Sequence, residues 1–220
     1  MASFFNLTLD TTAPAGLTLK LNNGAAYATS TAVTATIGLT DTETTGYQMK
    51  IWGVAGAATE SEAAWATFVK SKAITLTTGD GQKTVSIKVR DDVGNETATV
   101  TAKITLDTAV PVVTITGPDK SKISKVATFN VAAFSFSANI DFTEFKIKVV
   151  PSESSLENAG TQIPVTAGST NTSGTAGGYK KDTAINVTIN GADLETASAG
   201  DGVKIVKVFV KNAAGTWSVA

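Results

Sequence analysis

Apolar and polar positions alternate through most of the chain. Leu17, Leu19 and Leu21 are interleaved with Thr18 and Lys20, and Val33, Ala35, Ile37 and Leu39 with Thr34 and Thr36. Tyr47, Met49 and Ile51 alternate with Gln48 and Lys50. A two-residue period sends successive side chains to opposite faces of an extended chain, so each run predicts a strand with one face on a core. The pattern predicts further strands over 73–77 and 97–106, and between them one with Val85, Ile87 and Val89 pointing in and Thr84, Ser86, Lys88 and Arg90 pointing out. In the second half it predicts strands over 112–116, 126–136, 142–150, 184–190 and 203–211. Turn-forming residues separate these runs: Asn22-Asn23-Gly24, TDTETTG (40–46), Thr78-Gly79-Asp80-Gly81, which reads as closing a hairpin, and DDVGN (91–95). Residues 53–72 break the pattern. Within them ESEAAWATF predicts one short helical turn, with Trp65 expected to cap the core.

The strand pattern is repeated. LTLDTTAP (7–14) anticipates ITLDTAVP (104–111), and GDGQKTVSIKVRDDVGN (79–95) is echoed by GDGVKIVKVFVKNAAGT (200–216). This predicts two tandem domains, 1–108 with an N-terminal leader strand over 1–10, and 109–220, joined at a proline-marked joint that favours a stiff rod. From Leu9 to Gly79 is 70 residues and from Leu106 to Gly200 is 94, so the second domain carries about 24 extra. They are placed in an excursion over about 151–178, which contains TAGSTNTSGTAGG. Such an excursion on a rigid scaffold is either a contact loop or a tolerated insertion. About seven short strands per domain, with turns between them, predict an all-β chain of two tandem immunoglobulin-like β-sandwich domains. There is no cysteine, so the cores must hold by apolar packing.

In the first domain DTTAP, NNGAAY, YQMKIWG, Trp65 and GDGQKTVSIKVRDDVGN together resemble the Ig-like repeats of bacterial and bacteriophage proteins. The resemblance covers nearly all of that domain. The second keeps only the joint, the GDG and the NAAG elements, as a diverged copy would. Such repeats occur in secreted surface proteins, glycan-active enzymes and virion proteins, usually as spacers or attachment modules. The resemblance therefore implies a non-catalytic role and says no more about function.

Charge and composition narrow the partners. Net charge is −1, with 10 acids and 8 bases through Asp107 and 9 acids and 10 bases after it, so neither half has the basic excess of a nucleic-acid binder. No apolar run approaches the roughly 20 residues that span a bilayer. The opening MASFFNLTLDTTAP has neither the positive region nor the apolar run of a signal peptide. The expected location is thus a virion assembled in the host cytoplasm, with a head decoration or tail-associated role. Expected partners are other virion proteins or a second copy, with host surface glycans as a further candidate. The other readings are a carbohydrate- or cell-wall-binding module and a fragment of a bacterial adhesin.

Aligning the repeats pairs Thr99 with Ala220 and Met1 with Ala98. One end thus carries a last strand without its domain, and the other a domain without its last strand. Two ends at opposite poles would meet only between molecules. The expectation is strand donation to a neighbour or scaffold through Phe4, Phe5, Leu7 and Leu9, with Trp217 at an interface. The competing expectation is a simple leader strand and a second domain with fewer strands.

Catalytic chemistry finds little footing. Histidine and cysteine are absent, which removes the usual general base and the strongest nucleophile. The nearest carboxylate pairs, Asp91-Asp92 and Glu60/Glu62, sit in a turn and an irregular segment and read as solvated surface. No cofactor is expected apart from a candidate calcium site, where Asp41, Glu43, Asp91, Asp92 and Asn95 offer oxygens from two loops at one pole. Turn closure is the competing role for these residues, and SANID and KNAAGT in the second domain lack the acids. Trp52 and Trp65 are expected to face or cap the core.

Overall fold

Alternation becomes paired strand wherever a neighbour is available to complete the backbone ladder. The computed structural model describes residues 3–163 and 178–219. It divides into two units, Met1–Thr108 and Ala109–Ala220.

In the first unit β1 (Thr18–Leu21), β3 (Ala32–Gly38) and β6 (Ser71–Thr75) form one sheet in the order β1-β3-β6. Between them in sequence are β2 (Tyr27–Ala28), β4 (Gln48–Trp52) and β5 (Ala66–Thr67), followed by β7 (Gly81–Arg90) and β8 (Val100–Leu106). These form the facing sheet in the order β2-β8-β7-β4-β5. Leu19, Leu21, Val33, Ala35 and Ile37 from one sheet bury against Met49, Val85, Ile87, Val89, Ile104 and Leu106 from the other. This is an immunoglobulin-like sandwich, built by the period-2 rule.

The Thr78–Gly81 turn does not close a hairpin. β6 takes its ladder from β3, with Val33 opposite Ile74, while both edges of β7 are taken by β4 and β8. The turn therefore carries the chain from one sheet to the other. Asp80 fixes it, its Oδ1 accepting the N–H and the hydroxyl of Thr108 at 3.0 and 2.8 Å. The last strand starts at Val100 rather than at residue 97, because Thr97 is buried and its side chain caps the Val89 N–H.

In the second unit β9 (Val113–Thr116), β10 (Val131–Ala138) and β13 (Ile185–Asn190) form a sheet in the order β13-β10-β9. The facing sheet holds β11 (Glu144–Val150), β12 (Thr161–Gln162) and β14 (Ile205–Lys211) in the order β12-β11-β14. Phe134, Phe136, Phe142, Phe145, Ile147, Val187, Val208 and Val210 form its core. Strand β10 begins five residues later than expected. Residues 124–130 instead form a turn closed by Phe129 N–H to the Val126 carbonyl at 3.1 Å, leaving Val126 and Phe129 exposed.

Not all the extra length of this unit lies in the 151–178 excursion. Helix α1 (Gly191–Ala197) is inserted between β13 and β14, capped by Asn190, whose Oδ1 accepts the Ala192 N–H at 2.9 Å. Gly191 is required there, since a Cβ would stand 2.1 Å from the Ser124 carbonyl oxygen. Of the excursion, residues 151–163 are held down. Lys148 donates to the Glu157 carbonyl at 2.7 Å, Lys207 donates to the carbonyls of Glu153 and Ser155, and β12 pairs with β11. Residues 164–177 lie outside the described residues.

Candidate functional site

Among the described residues two features lack a strand partner, one in each unit. The first is the N-terminal segment. The leader strand expected over 1–10 is not formed, since residues 3–10 join no sheet. An extended segment without a neighbouring edge has no ladder to complete. Phe4, Phe5, Leu7 and Leu9 are 90%, 85%, 86% and 86% exposed. The chain is anchored only from its far end, where Pro14 is buried, Thr12 N–H donates to Asp10 Oδ1, and the Asn95 amide donates to the Asp10 carbonyl at 3.4 Å.

The second feature is the outer edge of β14. Among the described residues β14 pairs with β11 on one side, from Glu144–Lys211 to Val150–Ile205, and is terminal in its sheet. Its backbone pairing on the other side is near the end, where Lys211 bridges to Trp217 and Ser218 meets Val210. Beside the start of β14 lies an apolar cavity of about 620 Å³ lined by Ile115, Phe134, Ile189, Leu194, Val203 and Val206 among others. Sequence reasoning missed this cavity. Its signal was faint: the GDG motif before β14 matches the one before β7, but the apolar lining from Ile115 and Leu194 comes from segments with no repeat to announce them.

Trp217 is not bare. Its ring lies under Lys146 and Lys211, with Nζ atoms 4.4 and 5.1 Å from the centroid. Those lysines are paired in turn with Glu157 and Glu144. Trp217 thus closes the end of β14. The first unit repeats the arrangement on Arg90, the counterpart of Lys211. The Arg90 guanidinium stands 4.4 Å from the Trp65 centroid and Lys50 5.0 Å, with Arg90 held by Gln48 Oε1 at 2.5 and 2.8 Å. Trp65 is therefore on the outer face of the sheet, not over the core, and Phe68 is the residue of its segment that enters the core. Trp52 shares the outward face, because Met49 and Ile51 take the inward one.

The candidate calcium residues do share a pole. A Cβ on Gly46 would stand 2.8 Å from Asp92 Cβ, so the two loops adjoin. They do not converge on a point, however, and among the described residues no group of three acidic side chains is placed to hold a metal. The oxygens are spent on their own loops. Asp91 Oδ1 accepts the N–H groups of Val93 and Asn95 at 3.0 and 2.8 Å, and its Oδ2 accepts the Asn95 side-chain amide at 2.8 Å. Glu43 accepts the N–H and hydroxyl of Thr45, which holds its carboxyl below the usual range. Asp41 meets the Ala15 N–H and, at 3.3 Å, the Tyr47 hydroxyl, while Asp92 is exposed. Burial first, and the Asp41 carboxylate second, push the Tyr47 phenol up. The second unit gives the reason for this economy. Asn212 replaces Asp91, and its Oδ1 accepts the Thr216 N–H at 2.8 Å, so the position closes a turn whether or not it is charged.

No helix among the described residues is long and apolar enough to cross a membrane. No protein-family model and no curated protein matches the chain. Among solved structures it is similar to the fibronectin(III)-like modules of Clostridium thermocellum CbhA, with 8% identity, a TM-score of 0.47, and coverage of 92% of this chain and 90% of that one. It is also similar to parts of dimeric latent PorU from Porphyromonas gingivalis, at 14% identity and TM-score 0.30, covering 97% of this chain and 20% of that one. A third is chitinase ChiA74 from Bacillus thuringiensis, at 13% identity and TM-score 0.30, covering 92% and 30%. The chain spans a fifth and under a third of those last two proteins.

Proposed function

We propose that the chain is a non-enzymatic structural and attachment protein of a bacteriophage virion, a head decoration or tail-associated component held through the apolar segment 3–9. The observation that carries the attachment role is the exposure of Phe4, Phe5, Leu7 and Leu9, each at 85% or more. Four large apolar side chains within six residues form a patch of the kind that marks a docking surface. The virion is favoured by the Ig-like repeat motifs in the first unit. A carbohydrate-binding role draws on one feature, the outward placement of Trp52 and Trp65, but Arg90 and Lys50 stand over the Trp65 ring.

The test is composition of purified particles from the phage that encodes the chain. Peptides of this chain are expected at a fixed stoichiometry in gradient-purified virions, and a chain lacking residues 3–9 is expected to be lost from them. Absence from particles, with binding to host cell-wall glycan that disappears in a Trp52→Ala/Trp65→Ala variant, would replace this reading by the carbohydrate one.

A further inference from the structure

The two units can be superposed residue by residue along β7 and β14, from hydrogen bonds rather than from sequence likeness. In the first unit Thr97 accepts the Val89 N–H on its Oγ1 at 3.1 Å and returns its own N–H to the Val89 carbonyl at 2.9 Å. In the second, Ser218 does the same to Val210 at 3.2 and 2.8 Å. The bridge from Arg90 to Glu96 matches that from Lys211 to Trp217. Val89 thus corresponds to Val210, Lys83 to Lys204 and Gly81 to Gly202.

In the first unit this edge is covered. β8 runs antiparallel along β7 from Ile87–Val100 to Gly81–Leu106, placing Ile104 opposite Lys83 and Leu106 opposite Gly81. Both side chains are buried in the core, at 2% and 1% exposure. In the second unit the corresponding edge, residues 202–208, has no strand beside it among the described residues. The apolar cavity opens there, with Gly202 and Lys204 themselves in its wall. The cavity lies beside the two positions at which the first unit supplies core side chains.

The chain contains a second segment of the kind that fills this place. LTLDTTAP (7–14) repeats ITLDTAVP (104–111), so Leu7 and Leu9 correspond to Ile104 and Leu106. We infer that residues 3–9 of a second copy complete the β14 edge, antiparallel to it, with Leu9 opposite Gly202, Leu7 opposite Lys204 and Phe5 opposite Val206. Leu7 and Leu9 enter the cavity, and the backbone supplies the missing ladder. This rests on the attachment reading and names its partner as the same chain. The contact is heterologous, so it closes a dimer or ring or else propagates.

The experiment uses the full chain, a chain lacking residues 3–9, and a labelled peptide of residues 3–12. Light scattering is expected to give a concentration-dependent mass of at least twice the monomer for the full chain and the monomer mass for the truncation. The peptide is expected to bind the truncated chain one to one, and a Leu7→Asp/Leu9→Asp peptide at least tenfold more weakly. The charged substitutions are confined to the peptide, so misfolding cannot produce that difference. A full chain that stays monomeric to about 100 µM overturns the second copy as occupant, and a truncated chain that ignores the peptide overturns the register. Either failure leaves the attachment reading to the particle test, where residues 3–9 would still be required.

Discussion

Replacing Phe145 by alanine is expected to destabilise the second unit by about 3–5 kcal/mol, the range for truncating a buried aromatic ring. Phe145 is fully buried at the middle of a four-ring cluster. Its ring stands edge-on to Phe136 at 5.1 Å and to Tyr179 at 5.3 Å, while Phe142 stacks on Tyr179 at 4.8 Å. Removing it forfeits the burial and two aromatic contacts, each worth about 0.5–1.5 kcal/mol beyond area. The rigid strands around it leave a cavity that cannot collapse freely. The first unit has a largely aliphatic core, in which Phe68 is the buried aromatic ring, and no share in this cluster. Calorimetry is therefore expected to resolve one shifted and one unshifted transition. A loss below about 1 kcal/mol would contradict this packing account.

The second large effect is expected in the first unit. Asp91→Ala removes the acceptor for two backbone N–H groups and the Asn95 amide at a carboxylate only 4% exposed. Leaving these part-buried donors unmet gives an expected cost of about 1–3 kcal/mol. Asp91→Asn is expected to cost less, since Asn212 already closes the matching turn with an amide oxygen. The pair also separates charge from shape. Burial pushes the Asp91 carboxyl up, but hydrogen bonds from the Asn95 side chain and from the backbone of Asn95, Val93 and Gly94 outweigh it and hold the group below its ordinary range. A folded pKa below the unfolded one, about 3.9, means the stabilisation is fully present above that value and drains away as pH falls through the lower, folded value. Urea midpoints of the first unit measured from pH 7 down to pH 3 are expected to fall at the acid end in the parent and to flatten in Asp91→Asn. Identical acid limbs in the two proteins would show that Asp91 does not carry the effect.

Much of this architecture was legible because alternation is a strong signal wherever one face of a strand is buried. Val33, Ala35 and Ile37 announce β3, and Val85, Ile87 and Val89 announce β7, since a polar residue at any of those places would be stranded in the core. Which strands pair is weaker in sequence. Gly79 and Gly81 mark a turn equally well whether the chain doubles back or crosses between sheets, and only the claim of β4 and β8 on both edges of β7 decides it. Helix α1 was hidden because NGADLETA is short and its two apolar anchors, Leu194 and Ala197, are too few to read a period from. Trp65 misled because a large aromatic is expected in the core, whereas cations on the sheet surface here provide its partner. The acids at 41, 43, 91 and 92 looked like ligands because turn closure and cation binding call for the same oxygens. The apolar character of segment 3–9 was legible, but the cavity beside β14 arises from the packing of segments distant in sequence.

The account turns on whether the β14 edge is open until residues 3–9 cover it. Val210 directs its N–H and carbonyl to that edge, where Ser218 meets both, and strand alternation places the N–H groups of Val206 and Val208 on the same side. Amide hydrogen exchange reads these positions one by one. In the chain lacking residues 3–9, Val206 and Val208 are expected to exchange far faster than Val85 and Ile87, their counterparts beneath β8. Adding the 3–12 peptide is expected to slow Val206 and Val208 to comparable rates, with Lys207 and Phe209, which face β11, little changed. Slow exchange at Val206 and Val208 without the peptide, or fast exchange with it at saturation, would contradict the open edge and its proposed closure.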